Sequence, residues 1–303
     1  MVDFSTKYRP NCGVSNPRRK DIIMTKRVAF EGVHGAYSDL ACRAALPDHE
    51  TLSCPTVGDA VVAVRDGRAE LAMIPVENTV AGRVAAVHYL LPKSGLYIVG
   101  EYYQRVEHHL LALPSATLAD IKKARSHIHA LPQCKKWLEA HNIEPVVRPD
   151  TAGSAEEVAK LGDISVAAIA SKLAGELYGL KSLAADIADV PGNTTRCLIL
   201  SSKPERPKVG DGPCITTLIY RVRNVPAALF KTLCGFATNS INITRLESYL
   251  ADGGFSVAQF WIDVEGHPDE RPLKLALEEL SFFAEDVSIL GVYPASNFRL
   301  KMK

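Results

Sequence analysis

The sequence predicts an α/β protein in two parts, and three features carry that prediction. Short apolar strand-like runs alternate with helical patterns from residue 27 to about residue 202, the order that builds βαβ units and a mostly parallel sheet. Residues 201–213 are polar, punctuated by proline and glycine and without hydrophobic period, which places an interdomain linker at 203–213. Beyond it, over 214–296, come strand, helix, strand, strand, helix and strand, the βαββαβ order of a ferredoxin-like unit.

In the first part, apolar or β-branched runs predict strands at 27–30, 71–74, 97–103, 106–113, 166–170 and 196–200. Amphipathic spacing, with turn or capping residues ahead of it, predicts helices at 38–46, 57–64, 132–140, 155–161 and 171–178. Glycine and proline punctuation doubles near Tyr103 and again near Ala185. That pattern predicts two lobes joined by two crossings, with the chain returning to the first lobe at its end and a ligand cleft between them. In the second part the strands are expected at 215–223, 243–250, 255–264 and 287–293 and the helices at 227–237 and 271–283, with a turn at Asp252-Gly253-Gly254 and a tail at 297–303.

Composition narrows the partners. Lysine plus arginine number 35 against 34 acidic residues, a formal charge of +1, so no global field exists to hold nucleic acid or an anionic membrane, and small molecules or further copies of the chain are expected. Seven scattered cysteines with no Cys-x-x-Cys pair read as reduced thiols of a cytoplasmic protein. The longest apolar stretches, such as 110–113 and 166–170, are too short to cross a bilayer as helices. Residues 1–26 carry basic residues and prolines but no apolar run, which reads as a disordered leader, and Met24 directly before the first strand offers a later start. No phosphate loop, dinucleotide fingerprint or His-Glu-x-x-His occurs. His108 and His109 are adjacent in a predicted strand and point to opposite faces, so they cannot chelate one ion; His127 and His129 read as partly exposed loop residues, and no metal site is expected.

Four segments stand in order over about 175 residues: Gly32-Val33-His34-Gly35-Ala36-Tyr37-Ser38, Pro75-Val76-Glu77-Asn78-Thr79-Val80-Ala81-Gly82, Ser126-His127-Ile128-His129-Ala130-Leu131-Pro132-Gln133-Cys134, and Asn193-Thr194-Thr195-Arg196-Cys197. Together, with Asp150-Thr151-Ala152 and Ala168-Ile169-Ala170-Ser171, they resemble the catalytic domain of the prephenate dehydratase family. The resemblance implies a two-lobed fold like periplasmic binding proteins, substrate between the lobes, and decarboxylating dehydration of prephenate to phenylpyruvate without a cofactor. The C-terminal unit resembles a phenylalanine-regulated ACT domain. Where that kind has Gly-Ala-Leu and Glu-Ser-Arg-Pro segments, this chain has Ala227-Ala228-Leu229 and Glu247-Ser248-Tyr249-Leu250. The resemblance thus implies that L-phenylalanine binds at Ala227, Ala228, Leu229, Glu247 and Ser248 where two such units pair, in a homodimer or homotetramer; an exposed edge strand of the unit predicts the same pairing.

Prephenate is a dianion bearing a ring hydroxyl that must leave as water while carbon dioxide departs and the ring becomes aromatic. The protein has to fix two carboxylates, assist a poor leaving group and exclude solvent. The resemblance puts Thr195 at the leaving hydroxyl; a threonine is too weak an acid to ionise, so it acts by hydrogen bond or concerted transfer, worth roughly two to four powers of ten. Asn78, Ser126 and Gln133 are neutral donors that orient the substrate without adding negative charge. Glu77 is either a second proton source or a satisfied structural carboxylate. Arg196, with Ser38, Thr194 and Thr79, is expected to hold the carboxylates, helped by N–H groups at the helix starts near Ser38 and after Gln133. Cys197 replaces the phenylalanine usual after the Thr-Arg pair, which removes an apolar wall from the ring site, and Glu31 replaces a glutamine before the first motif. Arogenate dehydration and non-catalytic amino-acid sensing are the competing readings.

Overall fold

The computed structural model describes residues 26–223, 225–250 and 258–301. The leader and Met24 therefore lie outside the described residues, as do the Asp252-Gly253-Gly254 turn and the first residues of the strand expected at 255–264. The elements run in chain order β1 (Arg27–Glu31), α1 (Tyr37–Ala45), β2 (Glu50–Cys54), α2 (Val57–Arg65), β3 (Leu71–Asn78), β4 (Gly82–Arg83), α3 (Ala85–Leu90), β5 (Tyr97–Arg105), β6 (His109–Ala112), β7 (Lys123–His127), α4 (Lys135–Ala140), β8 (Glu144–Arg148), α5 (Thr151–Leu161), β9 (Val166–Ala170), α6 (Lys172–Tyr178), β10 (Lys181–Ala184) and β11 (Thr194–Ser201). The C-terminal unit continues with β12 (Cys214–Val222), α7 (Ala228–Thr238), β13 (Ile243–Leu250), β14 (Ala258–Glu265), α8 (Arg271–Phe283), β15 (Ala284–Pro294) and α9 (Asn297–Lys301).

Two sheets form. The smaller, in the order β10-β6-β9-β7-β8, is the second lobe; the larger runs β13-β14-β12-β15-β5-β11-β3-β1-β2, with β4 on the flank of β3, so the first lobe and the βαββαβ unit share one sheet. The chain leaves the first lobe after β5 and returns as β11, which lies antiparallel to both β3 and β5. This return corrects the expectation of a mostly parallel sheet: parallel pairing is confined to β1 with β2 and β3, β7 with β8 and β9, and the single β5–β15 bridge. A strand that re-enters from the other lobe has no helix to carry it back to the starting edge, so it pairs antiparallel.

Helix starts follow their caps. Thr56, Asp150 and Ser171 each accept a backbone N–H at the openings of α2, α5 and α6, and Gly162 and Gly179 close the last two in the left-handed region. The expected helix at 132–140 opens instead as a 3-10 turn, Leu131–Cys134, before α4 begins. One apolar core contains residues of both lobes, Phe30 and Met73 from the first and Leu111, Ala168 and Ala174 from the second. The turn before α1 comes so close to α6 that a Cβ on Gly35, at φ +90°, would stand 2.8 Å from the Ala174 Cα. The two lobes are thus packed closely against each other at this turn.

Candidate active site

In the β3–β11 pair Asn78 stands opposite Thr195 and Glu77 opposite Arg196. Successive strand side chains point to opposite faces, so this register sends the polar pair one way and the charged pair the other. On the polar face, Asn78 Nδ2 donates to Thr195 Oγ1 at 2.9 Å and to Asn193 Oδ1 at 2.6 Å, while Asn78 Oδ1 accepts the N–H groups of Val80 and Ala81. Asn193 Nδ2 donates to Gln133 Oε1 at 2.6 Å, and Gln133 Nε2 donates to the His129 carbonyl at 2.7 Å. His108 Nε2 lies 3.0 Å from Gln133 Oε1, and the Tyr37 hydroxyl lies 2.9 Å from His108 Nδ1 and 2.8 Å from the Glu107 carbonyl, with one proton to donate between them. Three of the expected residues, Thr195, Asn78 and Gln133, are therefore members of one network that crosses between the lobes.

The network is electrically neutral. Burial holds the His108 imidazole below its ordinary pKa, and burial likewise lifts the Tyr37 hydroxyl well above its usual value. The adjacent Cys134 thiol is pushed up to about 12 by burial, with Asp189 and Asp186 adding to it. What surrounds Thr195 is a set of amide donors and acceptors without ionised members, the environment in which a dipole retains its effect on developing charge.

Arg196 points to the other face of the sheet from this network, which corrects the expectation that it binds the substrate. Its side chain is 2% exposed; Nε donates to Glu101 at 2.8 Å, Nη1 to Glu77 at 3.0 Å and Asp263 at 2.5 Å, and Nη2 to the Tyr293 hydroxyl at 2.9 Å. Burial opposes its charge, but Asp263, Tyr293 and Glu101 overcome that and hold it ionised. Glu77 is likewise occupied, by Arg196 and by Arg245 Nε at 3.4 Å, so the satisfied-carboxylate alternative is the one this geometry supports, with arginines as the donors.

Ser126 is also corrected: it is fully buried and its hydroxyl donates to the Ile169 carbonyl at 2.6 Å, within the second lobe. Thr194 and Thr79 clasp the ends of the two strands. Thr79 Oγ1 accepts the Thr194 N–H, the Thr79 N–H goes to the Thr194 carbonyl, and the Thr194 hydroxyl donates to the Gly192 carbonyl. Ser38 is the second residue of α1, whose N-cap, Ala36, supplies no side-chain hydrogen bond; the buried Asp39 carboxylate lies in the same first turn and accepts the Gly35 N–H at 2.9 Å. The N–H groups after Gln133 are not free, because the Asp189 carboxylate accepts from Lys136 N and Trp137 N. Cys197 is buried in the interlobe core beside Met73 and Phe30 and does not wall a ring site. Glu31 is half-buried, its carboxyl pushed up by burial against the backbone N–H of Val57, with Asp150 adding to the rise.

In the C-terminal unit Ala227 precedes α7 in the left-handed region, at φ 58° and ψ 29°, with Ala228 and Leu229 opening the helix. Glu247 and Ser248 lie on β13, where Glu247 Oε2 and the Ser248 carbonyl accept from Arg83 Nη1 at 3.3 and 3.4 Å. Sequence reasoning missed Asn193, His108 and Tyr37 as members of the site. Asn193 and Tyr37 sit inside the motifs that drew attention, whereas the only chemistry weighed for His108 was metal binding.

The family model for prephenate dehydratase matches residues 28–205, more than half of the chain. A bifunctional N-acyl-homoserine lactone acylase/prephenate dehydratase of Komagataeibacter europaeus is 52% identical over 275 residues, covering 90% of this chain and 98% of that protein. Arogenate dehydratase/prephenate dehydratase 1 of Arabidopsis thaliana, a chloroplastic protein, is 36% identical, covering 88% of this chain and 72% of that protein. Among solved structures, prephenate dehydratase of Arthrobacter aurescens in complex with L-Phe superposes with a TM-score of 0.81 at 31% identity, covering 89% of this chain and 90% of that one. Motifs that meet across two lobes around one threonine, and a match that extends through the C-terminal unit, lead to one conclusion: this chain belongs to the prephenate dehydratase family.

Proposed function

We propose that this chain converts prephenate to phenylpyruvate, water and carbon dioxide, and that L-phenylalanine binding to its C-terminal unit, an ACT domain, lowers that activity. The observation that carries the reaction is the Asn78–Thr195 hydrogen bond at the centre of an interlobe amide network. With its oxygen accepting from Asn78, Thr195 turns its own O–H toward the crevice, where it donates to the departing ring hydroxyl. Aromatisation supplies the driving force. Support for feedback comes from Arg83: it is gripped by Glu247 and Ser248 of β13, and β4, to which it belongs, pairs with Glu77 and Asn78 of β3. An effector that draws on Glu247 and Ser248 thereby moves the strand end that carries Asn78. The edge of the shared sheet at β13, with Leu246 and Leu250 exposed, is the surface through which copies pair.

Turnover of the purified chain on prephenate and on arogenate tests the reading directly. Thr195→Ala is expected to lower kcat on prephenate by roughly a hundredfold to ten-thousandfold with the fold intact; unaltered turnover removes the mechanism, and a strong preference for arogenate transfers the assignment to that substrate. Calorimetry with L-phenylalanine on the same preparation tests the sensor, and absence of binding leaves the C-terminal unit as a pairing element. The 52% identity to a protein named also as an N-acyl-homoserine lactone acylase supports a second reading, hydrolytic removal of the N-acyl group from such lactones, to be assayed alongside.

A further inference from the structure

We infer that Asn193 and His108 are positioning residues for the dehydration, because they fix the direction in which the interlobe amide network points and so aim the Thr195 proton; this rests on the reading of Thr195 given above. The direction can be derived from the ends of the network. At one end Asn78 Oδ1 faces two backbone N–H groups, those of Val80 and Ala81, so its amide cannot be reversed without setting an NH2 against two donors. At the other end Gln133 Nε2 faces the His129 carbonyl, so Gln133 Oε1 must face inward. Asn193 lies between them and has one orientation that serves both: Oδ1 toward the Asn78 amide and Nδ2 toward the Gln133 carbonyl oxygen. Gln133 Oε1 then accepts from Asn193 and from His108 Nε2, so His108 carries its proton on Nε2, and its bare Nδ1 shares the single Tyr37 hydroxyl proton with the Glu107 carbonyl as alternative acceptors.

Three consequences follow for Thr195. Its Oγ1 receives the Asn78 amide, so its own proton is directed elsewhere. The order holds only while Gln133 of the second lobe and Asn78 of the first are both joined to Asn193, so the proton is aimed when the crevice is in this arrangement. Asn193 itself is 2% exposed and His108 likewise 2%, so water does not substitute readily for either partner. Neither residue touches the reacting atoms; each acts through Asn78 and Gln133 on the threonine.

The test is a cycle of substitutions read by steady-state kinetics on prephenate. Asn193→Leu, close to isosteric and unable to donate or accept, is expected to lower kcat about ten- to a hundredfold while KM changes by no more than about threefold. In a Thr195→Val background the same substitution is expected to cost less than about twofold, because the proton it aims is gone. His108→Leu should behave like Asn193→Leu, and His108→Gln, which can restore an N–H toward Gln133, should recover most of the loss. Equal losses in both backgrounds, or a KM increase with kcat unchanged, overturn the inference and leave the network a structural strut. Full activity of Thr195→Val instead overturns the mechanism beneath it, so the two failures are separable. Thermal melts of each variant identify any that lose the fold, and the His108 pair carries the test should the Asn193 variant melt early.

Discussion

Residue identities decided which chemistry was legible and which was not. Asn78, Gln133 and Thr195 stand in motifs whose residue types, amides and a hydroxyl, suit a dianionic substrate, and all three meet in one network. Arg196 and Ser126 stand in the same motifs but have their donors spent elsewhere, because which face a strand residue takes depends on a register that its own segment does not contain. Ala227 shows the opposite case, a departure in the sequence whose physical cost the structure reveals. It holds φ 58° where the regulated kind of domain has glycine, and a β-carbon in that region is sterically strained. Ala227→Gly should therefore raise the unfolding free energy by about 0.5–1 kcal/mol, the relief of strain exceeding the added flexibility of the unfolded chain. Denaturant melts of the two chains check this, and a lower midpoint for the glycine variant would show that the strain is compensated locally.

Elements with continuous apolar runs were found from sequence, and those without were missed. The strand at 166–170 has five buried residues in a row, and its expected and observed limits coincide. By contrast β2 and β8 occupy sheet edges, and Glu-Thr-Leu-Ser-Cys and Glu-Pro-Val-Val-Arg keep polar or half-exposed side chains that give no apolar signal. The strand pairing between the units was invisible for another reason, since it runs through a single residue without a side chain. Gly291 of β15 pairs with Ile98 of β5, and a Cβ there would overlap the Ile98 carbonyl oxygen and come within 2.6 Å of the Ile98 Cβ. Backbone cannot yield as a flexible side chain does, so Gly291→Ala should break this bridge and destabilise the chain by about 1–3 kcal/mol or more. If the C-terminal unit acts on the crevice through the shared sheet, the variant should also lose sensitivity to phenylalanine while residual turnover persists. A variant with wild-type stability would place the coupling elsewhere.

At the scale of the whole molecule, the two units are joined by a buried charge cluster whose members come from both. Arg196 of β11 reaches Asp263 of β14 and Tyr293 of β15, Arg245 of β13 reaches Glu77 of β3, and Glu101 of β5 accepts from Arg299 of α9 at 2.6 Å. The linker at 203–213 marks where the sequence changes composition, yet it does not mark a physical separation, because the sheet and these ion pairs run past it. Asp263 sits at the centre, fully buried, with Thr217 and the Trp261 indole N–H on its second oxygen. Burial alone would raise its pKa, but Arg196 and Arg245 reverse that and hold it below 3.8. An unfolded chain, lacking those arginines, binds the proton more readily than the folded one. The stabilisation is therefore complete above the ordinary carboxylate value and is lost as pH falls through the depressed folded value. Asp263→Asn leaves Arg196 partly uncompensated and should cost about 3–5 kcal/mol at pH 7, while flattening the fall in stability below pH 4. Chemical unfolding of both chains from pH 7 down to pH 3 measures the two effects together: parallel curves would mean that the acid sensitivity resides in other carboxylates, whereas convergence of the two curves toward low pH assigns it to the cluster that binds the C-terminal unit to the strands of the first lobe.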